Sequence, residues 1–451
     1  TLLNNSISEL NSGGGYIYGI SGNIPLVPNT VQININNNSI HGLTSSYATG
    51  EIAGIYLFSG HASTTGSVTG NKIFDLSETA SGSYVYGIFT EPTLAATVTY
   101  SNNYIGDLRA PLSNASNSSI RGLSLSMAAG VSNVYYNTIH LAATGSAATF
   151  STAAVYADAS VALTLRNNIF SNTSTGGLSG KTVAYWRSAN NLATYDAASN
   201  NNVFYAGVPG AQNLVFYDGT NSDQTIAAYK TRVSPRDLRS LSVLPDYIST
   251  NGPDATFLHL SPITGCELAS AGNNAGILLA TDFDGDARMT SSPFLTDIGA
   301  DEYSKVNVWT GANSSNWNDA GNWSEGVVPN DITRNVSIST PPVTQPVINV
   351  GNTFQVSNII LQPGASLTNR GTLQVSGGLY GAAGSINNIQ AGLAVGSIEM
   401  NGDCSTSQPL AGNVFVNNLV KDFKVSNDVT ISSVNGEQLN IEGTLSFGAV
   451  P

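Results

Sequence analysis

The stretch Val31-Gln32-Ile33-Asn34-Ile35-Asn36-Asn37-Asn38-Ser39-Ile40 decides the fold. Its apolar residues alternate with polar ones up to the asparagines, the period of a strand with one buried face. The same arrangement recurs along the chain. Asn38 belongs to the series Asn5, Asn38, Asn71, Asn103, Asn137, Asn168 and Asn201, at intervals of 33, 33, 32, 34, 31 and 33 residues. Three residues earlier stand Leu2, Ile35, Val68, Tyr100, Val134, Leu165 and Ala198; two residues later stand Ile7, Ile40, Ile73, Ile105, Ile139, Phe170 and Val203. A second column, Gly19, Gly54, Gly87, Gly122, Ala154 and Ala184, runs about half a period out of phase, each member followed by an apolar residue. Self-similarity at this period marks a solenoid, whose units bury their apolar faces by stacking on one another.

The unit is β. Helical repeats of this length need runs of Ala, Leu, Glu and Lys, whereas this stretch is rich in Asn, Ser, Thr, Gly, Val, Ile and Tyr. One Asn per coil then has a physical reason. At a bend its amide can bond the same amide in the next coil, about 4.8 Å away, and serve backbone groups that the bend leaves unpaired. The seven asparagines are therefore expected to form a structural ladder.

Stacked Asn at a turn, flanked by Gly-Ile and Val-x-x-Asn-x-Ile strands, resembles the right-handed parallel β-helix of pectate lyases and large secreted bacterial proteins. Four later pieces extend the resemblance: Pro245-Asp246-Tyr247, Phe257-Leu258-His259-Leu260-Ser261-Pro262, Asp282-Phe283-Asp284-Gly285-Asp286-Ala287-Arg288 and Asp297-Ile298-Gly299-Ala300-Asp301-Glu302-Tyr303. They resemble the closing region of such β-helices in surface proteins of Bacteroidota. Beyond them, Trp309-Thr310-Gly311, Trp317, Gly321-Asn322-Trp323 and Val328-Pro329 resemble the opening of a Trp-rich module found in the same proteins. The implied fold is all-β: coils over 1–205, a closing region over 206–303, and a smaller β-solenoid or β-sandwich over 304–451. The resemblance also implies an adhesin-like surface protein exported by a type IX secretion system.

Composition fits an extracellular β protein. Charged residues are 10% of the chain and the formal net charge is −13, with 16 Lys and Arg against 29 Asp and Glu. So acidic a surface excludes nucleic acid and anionic membrane as expected partners. No apolar run is long enough to span a bilayer. The chain opens at Thr1 inside a coil and ends at Pro451 just past a strand-like segment, which reads as part of a larger polypeptide. Cys266 and Cys404 fall in different expected domains and read as two free thiols or one long-range bridge.

Candidate chemistry is sparse. Four residues after the ladder Asn stand Glu9, Gly42, Asp75 and Asp107, which sets Asp75 and Asp107 on adjacent coils with Lys72 and Arg109 near in sequence. Stacked carboxylates repel unless a cation or base lies between them, so this is the first place to look for Ca²⁺. Asp282, Asp284 and Asp286 present alternate carboxylates around Gly285 as calcium loops do, although the Gly falls at the fourth position rather than the sixth. His41 and His140 share a coil position but lie too far apart for one metal. Trp309, Trp317 and Trp323 either stack on sugar rings or seal the end of a β domain. Ca²⁺ is the only cofactor in view and no catalytic residue stands out. Two functions compete: a structural or adhesive surface module touching glycans or other cell-surface proteins, and a β-helical polysaccharide lyase or glycoside hydrolase. The fold hosts both.

Overall fold

The computed structural model describes residues 1–24, 31–47, 49–59, 64–91, 96–115, 117–126, 130–261, 268–291, 294–303, 305–332, 334–339, 344–402, 408–411, 413–426, 428–432 and 439–448. The two cysteines lie outside them. The protein is nearly all-β, a parallel solenoid of about 11 turns. It divides into two compact units, Thr1–Leu260 with Ser270–Glu302, and Ser261–Ala269 with Tyr303–Pro451.

The first four coils of the first unit each contribute strands to four stacked sheets, and the later coils contribute none to the third. The coil around Asn38 runs Gln32–Asn36, Ser39–Ile40, Leu43–Ser45 and Glu51–Ser59, one strand to each sheet. The neighbours pair in parallel and in register, as in Ile35↔Val68, Ile40↔Ile73, Leu43↔Leu76 and Ile55↔Ile88. These residues point inward and form a continuous apolar core. The glycine column reports how closely the coil is pinched. A Cβ on Gly87 would lie 2.4 Å from Ile105 Cγ2 and 2.5 Å from the Gly122 carbonyl oxygen. Where the column changes to Ala154 and Ala184, the second sheet carries Phe170 and Phe204, stacked at 5.7 Å, in place of isoleucine.

The ladder stands at the bend between the first and second sheets. Each Asn Oδ1 accepts two bonds from the preceding coil, from the backbone N–H and the Nδ2 of that coil's Asn, as Asn71 does from Asn38 at 3.0 and 2.9 Å. Its own Nδ2 donates onward, to Asn103 Oδ1 at 3.0 Å, and back to the Ile35 carbonyl at 2.8 Å. The residue three before the ladder Asn is therefore the one whose carbonyl the next coil's amide serves.

The seventh rung is Asn202 and not Asn201: Asn168 N and Nδ2 donate to Asn202 Oδ1 at 3.0 and 2.9 Å. Asn201 belongs to a different column. The residue before each rung adopts left-handed backbone, at Asn4, Asn37, Gly70, Asn102, Tyr136, Asn167 and Asn201, with φ between 51° and 67°. Asn and Gly occupy six of those seven positions because they tolerate that conformation best. With Asn at 200, 201 and 202 in succession, spacing alone cannot choose between rung and bend.

The segment after residue 205 first covers the last coil, burying Tyr229 and Val233 in the same core as Phe204 and Phe216, and then runs back along the solenoid. Asn213–Tyr217 continues the fourth sheet, a helix spans Ile226–Val233, and the chain then returns along the outside of the second sheet. Outward positions on that sheet turn apolar at Phe74, Tyr104, Ile169 and Val203, all buried, and the returning strap covers them. Phe257 packs on Phe74 at 5.7 Å, and Phe283 on Tyr104 at 4.5 Å. The bend column fastens it: Asn102 Nδ2 donates to the Thr281 carbonyl, Asn167 Nδ2 to Asn273 and Asn201 Nδ2 to Ala271, at 2.8 to 2.9 Å.

The second unit is a solenoid of smaller coils. One of its in-register columns is Phe354↔Leu373↔Ile398↔Phe423↔Leu445, all parallel. The steps between these residues are 19, 25, 25 and 22, which is why no period shows in the sequence.

Replacing Asn71 by Ala removes the shared acceptor of the Asn38 N–H and Nδ2 and the amide donor to the Ile35 carbonyl, and is expected to cost about 1–3 kcal/mol. Asn114→Ala, in an exposed loop, is expected to shift stability by less than about 0.5 kcal/mol. Urea midpoints of the two variants check this, and equal shifts would contradict the ladder.

Candidate functional site

The outward face of the fourth sheet carries the aromatic residues. Strand geometry places the residue two after each Gly or Ala of the column outside, which gives Tyr56, Phe89, Tyr156 and Trp186, with Tyr217 in register with Trp186. On the early coils the rings bury one another: Tyr18 stacks on Tyr56 at 4.2 Å and Tyr86 on Phe89 at 4.6 Å. Burial, with Glu51 beside Tyr18 and Glu91 beside Tyr56, holds both phenols above their ordinary range. On the fourth coil Arg121 takes the place of a ring, its guanidinium 3.6 Å over Tyr156 and 5.7 Å from Tyr86.

Beyond Arg121 the packing opens. Tyr156, Trp186 and Tyr217 stay half-buried and line a polar groove of about 460 Å³ with Asn117, Ser179 and Lys181. Trp186 and Tyr217 meet edge to face at 4.8 Å, and Lys181 Nζ lies 4.8 Å over the Tyr217 ring. Flat apolar rings beside hydrogen-bond donors and acceptors suit a ligand with C–H faces and many hydroxyls.

The tryptophans singled out in the sequence do not form such a platform. Trp309, Trp317 and Trp323 are 1%, 0% and 3% exposed. Their indole N–H groups donate to the carbonyls of Thr344, Pro329 and Trp317. They build the core of the second unit against Phe354, so the sealing role is the one their burial supports.

Asp75 and Asp107 do stand on adjacent coils, both in left-handed backbone. The base between them is Arg109, which pairs with Asp107 at 2.6 Å and with Asp75. The guanidinium thus supplies the positive charge for which Ca²⁺ was expected. Burial nonetheless pushes the Asp107 carboxyl up, against the pull of Arg109. His140, three coils from His41, bonds Ser171 Oγ through Nδ1 at 2.8 Å, while His41 stacks on Phe74 at 4.7 Å.

Asp282, Asp284 and Asp286 do not converge. Asp282 Oδ1 accepts the backbone N–H of Asp284 and Asp286 at 2.9 and 2.8 Å, and its Oδ2 accepts that of Glu302 at 2.8 Å. It organises the loop instead of offering a ligand. Arg288 pairs with Glu302 at 3.1 Å, both fully buried. Asp284 turns toward His259, whose Nε2 lies 2.6 Å from Asp284 Oδ2, and one ligating atom each of His259, Asp284 and Asp301 lie within 4.8 Å of one another. These residues come from three of the strap pieces quoted above, 25 and 17 residues apart, a separation at which no sequence pattern joins them. No protein-family model, curated protein or solved structure matches this chain.

His140 gives a pH test. Burial lowers its pKa to about 4, against an unfolded value of about 6.5. Between those values the unfolded chain binds the proton and the folded one does not, so this residue makes stability fall as pH drops through that window. The full effect is about 3 kcal/mol. Wild-type unfolding free energy is expected to fall more between pH 7 and pH 4.5 than that of His140→Asn; parallel pH profiles would contradict the burial.

Proposed function

We propose that this chain is an extracellular structural and adhesive module of a secreted or cell-surface bacterial protein, and that it contacts glycans through the groove of Tyr156, Trp186 and Tyr217. The groove is the observation that carries this reading: half-buried rings in register on a rigid sheet, with Lys181, Asn117 and Ser179 at its edge. The rings would take the apolar face of a sugar and the rim its hydroxyls. A rigid scaffold fixes the rings before binding, which lowers the entropic cost of association. Bacteroidota origin, attachment to a larger polypeptide and export by a type IX system rest on the sequence resemblance.

The lyase or hydrolase reading has one geometric support. Asp107, Arg109 and His140 line a second groove of about 320 Å³. β-Elimination needs a free base beside a cation-neutralised carboxylate, and Arg109 here is engaged by two carboxylates. That favours binding over turnover.

Purified protein on a polysaccharide array is expected to retain at least one polymer and to release neither unsaturated nor reducing ends. Trp186→Ala and Tyr217→Ala are each expected to weaken retention about tenfold or more, while Asp75→Ala and Asp107→Ala leave it unchanged. Turnover on a uronate polymer that vanishes in the two aspartate variants would replace the adhesive reading with the lyase one.

A further inference from the structure

The strap holds a second cluster that the groove does not use. His259, Asp284 and Asp301 sit where three strap segments cross over Tyr104, and backbone bonds tie those segments together. Phe283 N donates to the Ala300 carbonyl at 3.0 Å, and Asp282 N to the Asp286 carbonyl at 2.9 Å. The Asp282 carboxylate joins the loop to Glu302. Asp301 Oδ2 accepts the Leu260 N–H at 3.0 Å, which orients the carboxylate and leaves its other oxygen. The Nδ1 of His259 lies 3.3 Å from its Phe257 carbonyl. A hydrogen on Nδ1 directed there would leave the Nε2 lone pair facing Asp284, the arrangement of a metal-ligating imidazole with its supporting carbonyl.

We propose that His259 Nε2, Asp284 and Asp301 bind one divalent transition ion of the Zn²⁺ type, which pins the strap to the second sheet. Two carboxylates and a neutral imidazole match a divalent charge, and a nitrogen ligand favours Zn²⁺ or Mn²⁺ over Ca²⁺. Ligands about such an ion stand roughly 3–3.5 Å apart, so a cluster already within 4.8 Å needs little movement to close. Asp284 is 43% exposed and His259 14%, which gives the ion a way in. Lys72 Nζ is engaged by the Asp254 carbonyl at 2.7 Å.

A second, independent observation points to a missing ligand. The Tyr104 hydroxyl is fully buried and has no hydrogen-bond partner among the described residues, although its ring lies 5.2 Å from that of His259. Burial, and then the charges of Asp301, Asp284 and Asp282, hold the phenol well above its ordinary range. An orphaned donor beside two carboxylates is expensive. An ion with three protein ligands keeps an open position for water, and that water gives the phenol an acceptor.

The test uses the whole chain, stripped with a chelator and titrated calorimetrically with Zn²⁺, Mn²⁺ and Ca²⁺ separately. The expected result is one equivalent of Zn²⁺ or Mn²⁺ bound more tightly than Ca²⁺, with a rise in Tm on loading. His259→Gln and Asp284→Asn are each expected to weaken binding about tenfold to a hundredfold and to abolish the Tm rise. Asp284 is exposed enough that its variant should fold as the wild type does, and metal-free circular dichroism verifies this. Asp286→Asn is expected to keep the affinity. No stoichiometric binding, Zn²⁺ binding that survives both variants, or preferred binding of Ca²⁺ that depends on Asp286 would each overturn the proposal. None of these outcomes bears on glycan retention, which is read in the Trp186 and Tyr217 variants.

Discussion

The hydrogen bond from one ladder amide to the next is the interaction on which the first unit depends. A coil of short parallel strands must turn sharply between sheets, and every turn strands backbone groups in a place water cannot reach. Asparagine fits because one planar amide carries two donors and an oxygen that accepts twice. All four sites are used: from Asn38 to Asn202 each Nδ2 serves a carbonyl of the preceding coil, and each Oδ1 serves the preceding rung. Aspartate would lose the donors, and glutamine would not fit the distance. The ladder also has a direction, because every rung donates toward the C-terminal coils. Its last backbone N–H ends on Ser240 Oγ, and its last side-chain donor ends on Asp237. That buried carboxylate accepts Asn202 Nδ2 at 2.9 Å together with the hydroxyls of Tyr195, Tyr229 and Ser240. A charge at the receiving end of a line of aligned dipoles strengthens every bond behind it.

The ladder positions the strap as well. The left-handed residue before each rung directs its side chain away from the core, and at Asn102, Asn167 and Asn201 that side chain grips the returning chain. The two columns divide the work of the bend, one amide bonding along the solenoid axis and the other outward. The second sheet would otherwise expose Phe74, Tyr104, Ile169 and Val203 in one patch, of the kind soluble proteins cover or use for association. Close approach is again visible in glycine. A Cβ on Gly299 of the strap would fall 2.6 Å from Ile169 Cδ1, and its φ of 107° suits no other residue.

How much of this was legible in the sequence follows from what each feature depends on. The period, the β character and six of the seven rungs could be read because one coil repeats one constraint. Asn201 and Asn202 cannot be told apart by spacing because rung and bend both favour asparagine, and only the hydrogen bonds separate them. The second unit kept its solenoid hidden because its coils change length. Trp309, Trp317 and Trp323 were ambiguous since an indole serves a core or a sugar equally well, and burial alone decides. Arg109 stands two residues from Asp107, but spacing does not place it between the carboxylates, because its reach back to Asp75 is set by side-chain direction rather than coil position.

The aromatic groove, by contrast, was present in the repeat. Counting two residues on from the glycine column gives Ser21, Tyr56, Phe89, Ser124, Tyr156 and Trp186, an outward column whose aromatic character is plain once the register is known. Rings at one position on successive strands stand about 4.8 Å apart, so a lateral face of this kind offers a row of stacking places whose spacing no loop movement can alter. The cluster of His259, Asp284 and Asp301 arises by the opposite route, from distant pieces of an irregular strap that meet only because the sheet beneath them is apolar. Periodic positions supply repeated, interchangeable contacts suited to a polymer with repeating units. A convergent site needs dissimilar residues at one point, and in this fold the place where periodicity breaks is where such residues can meet.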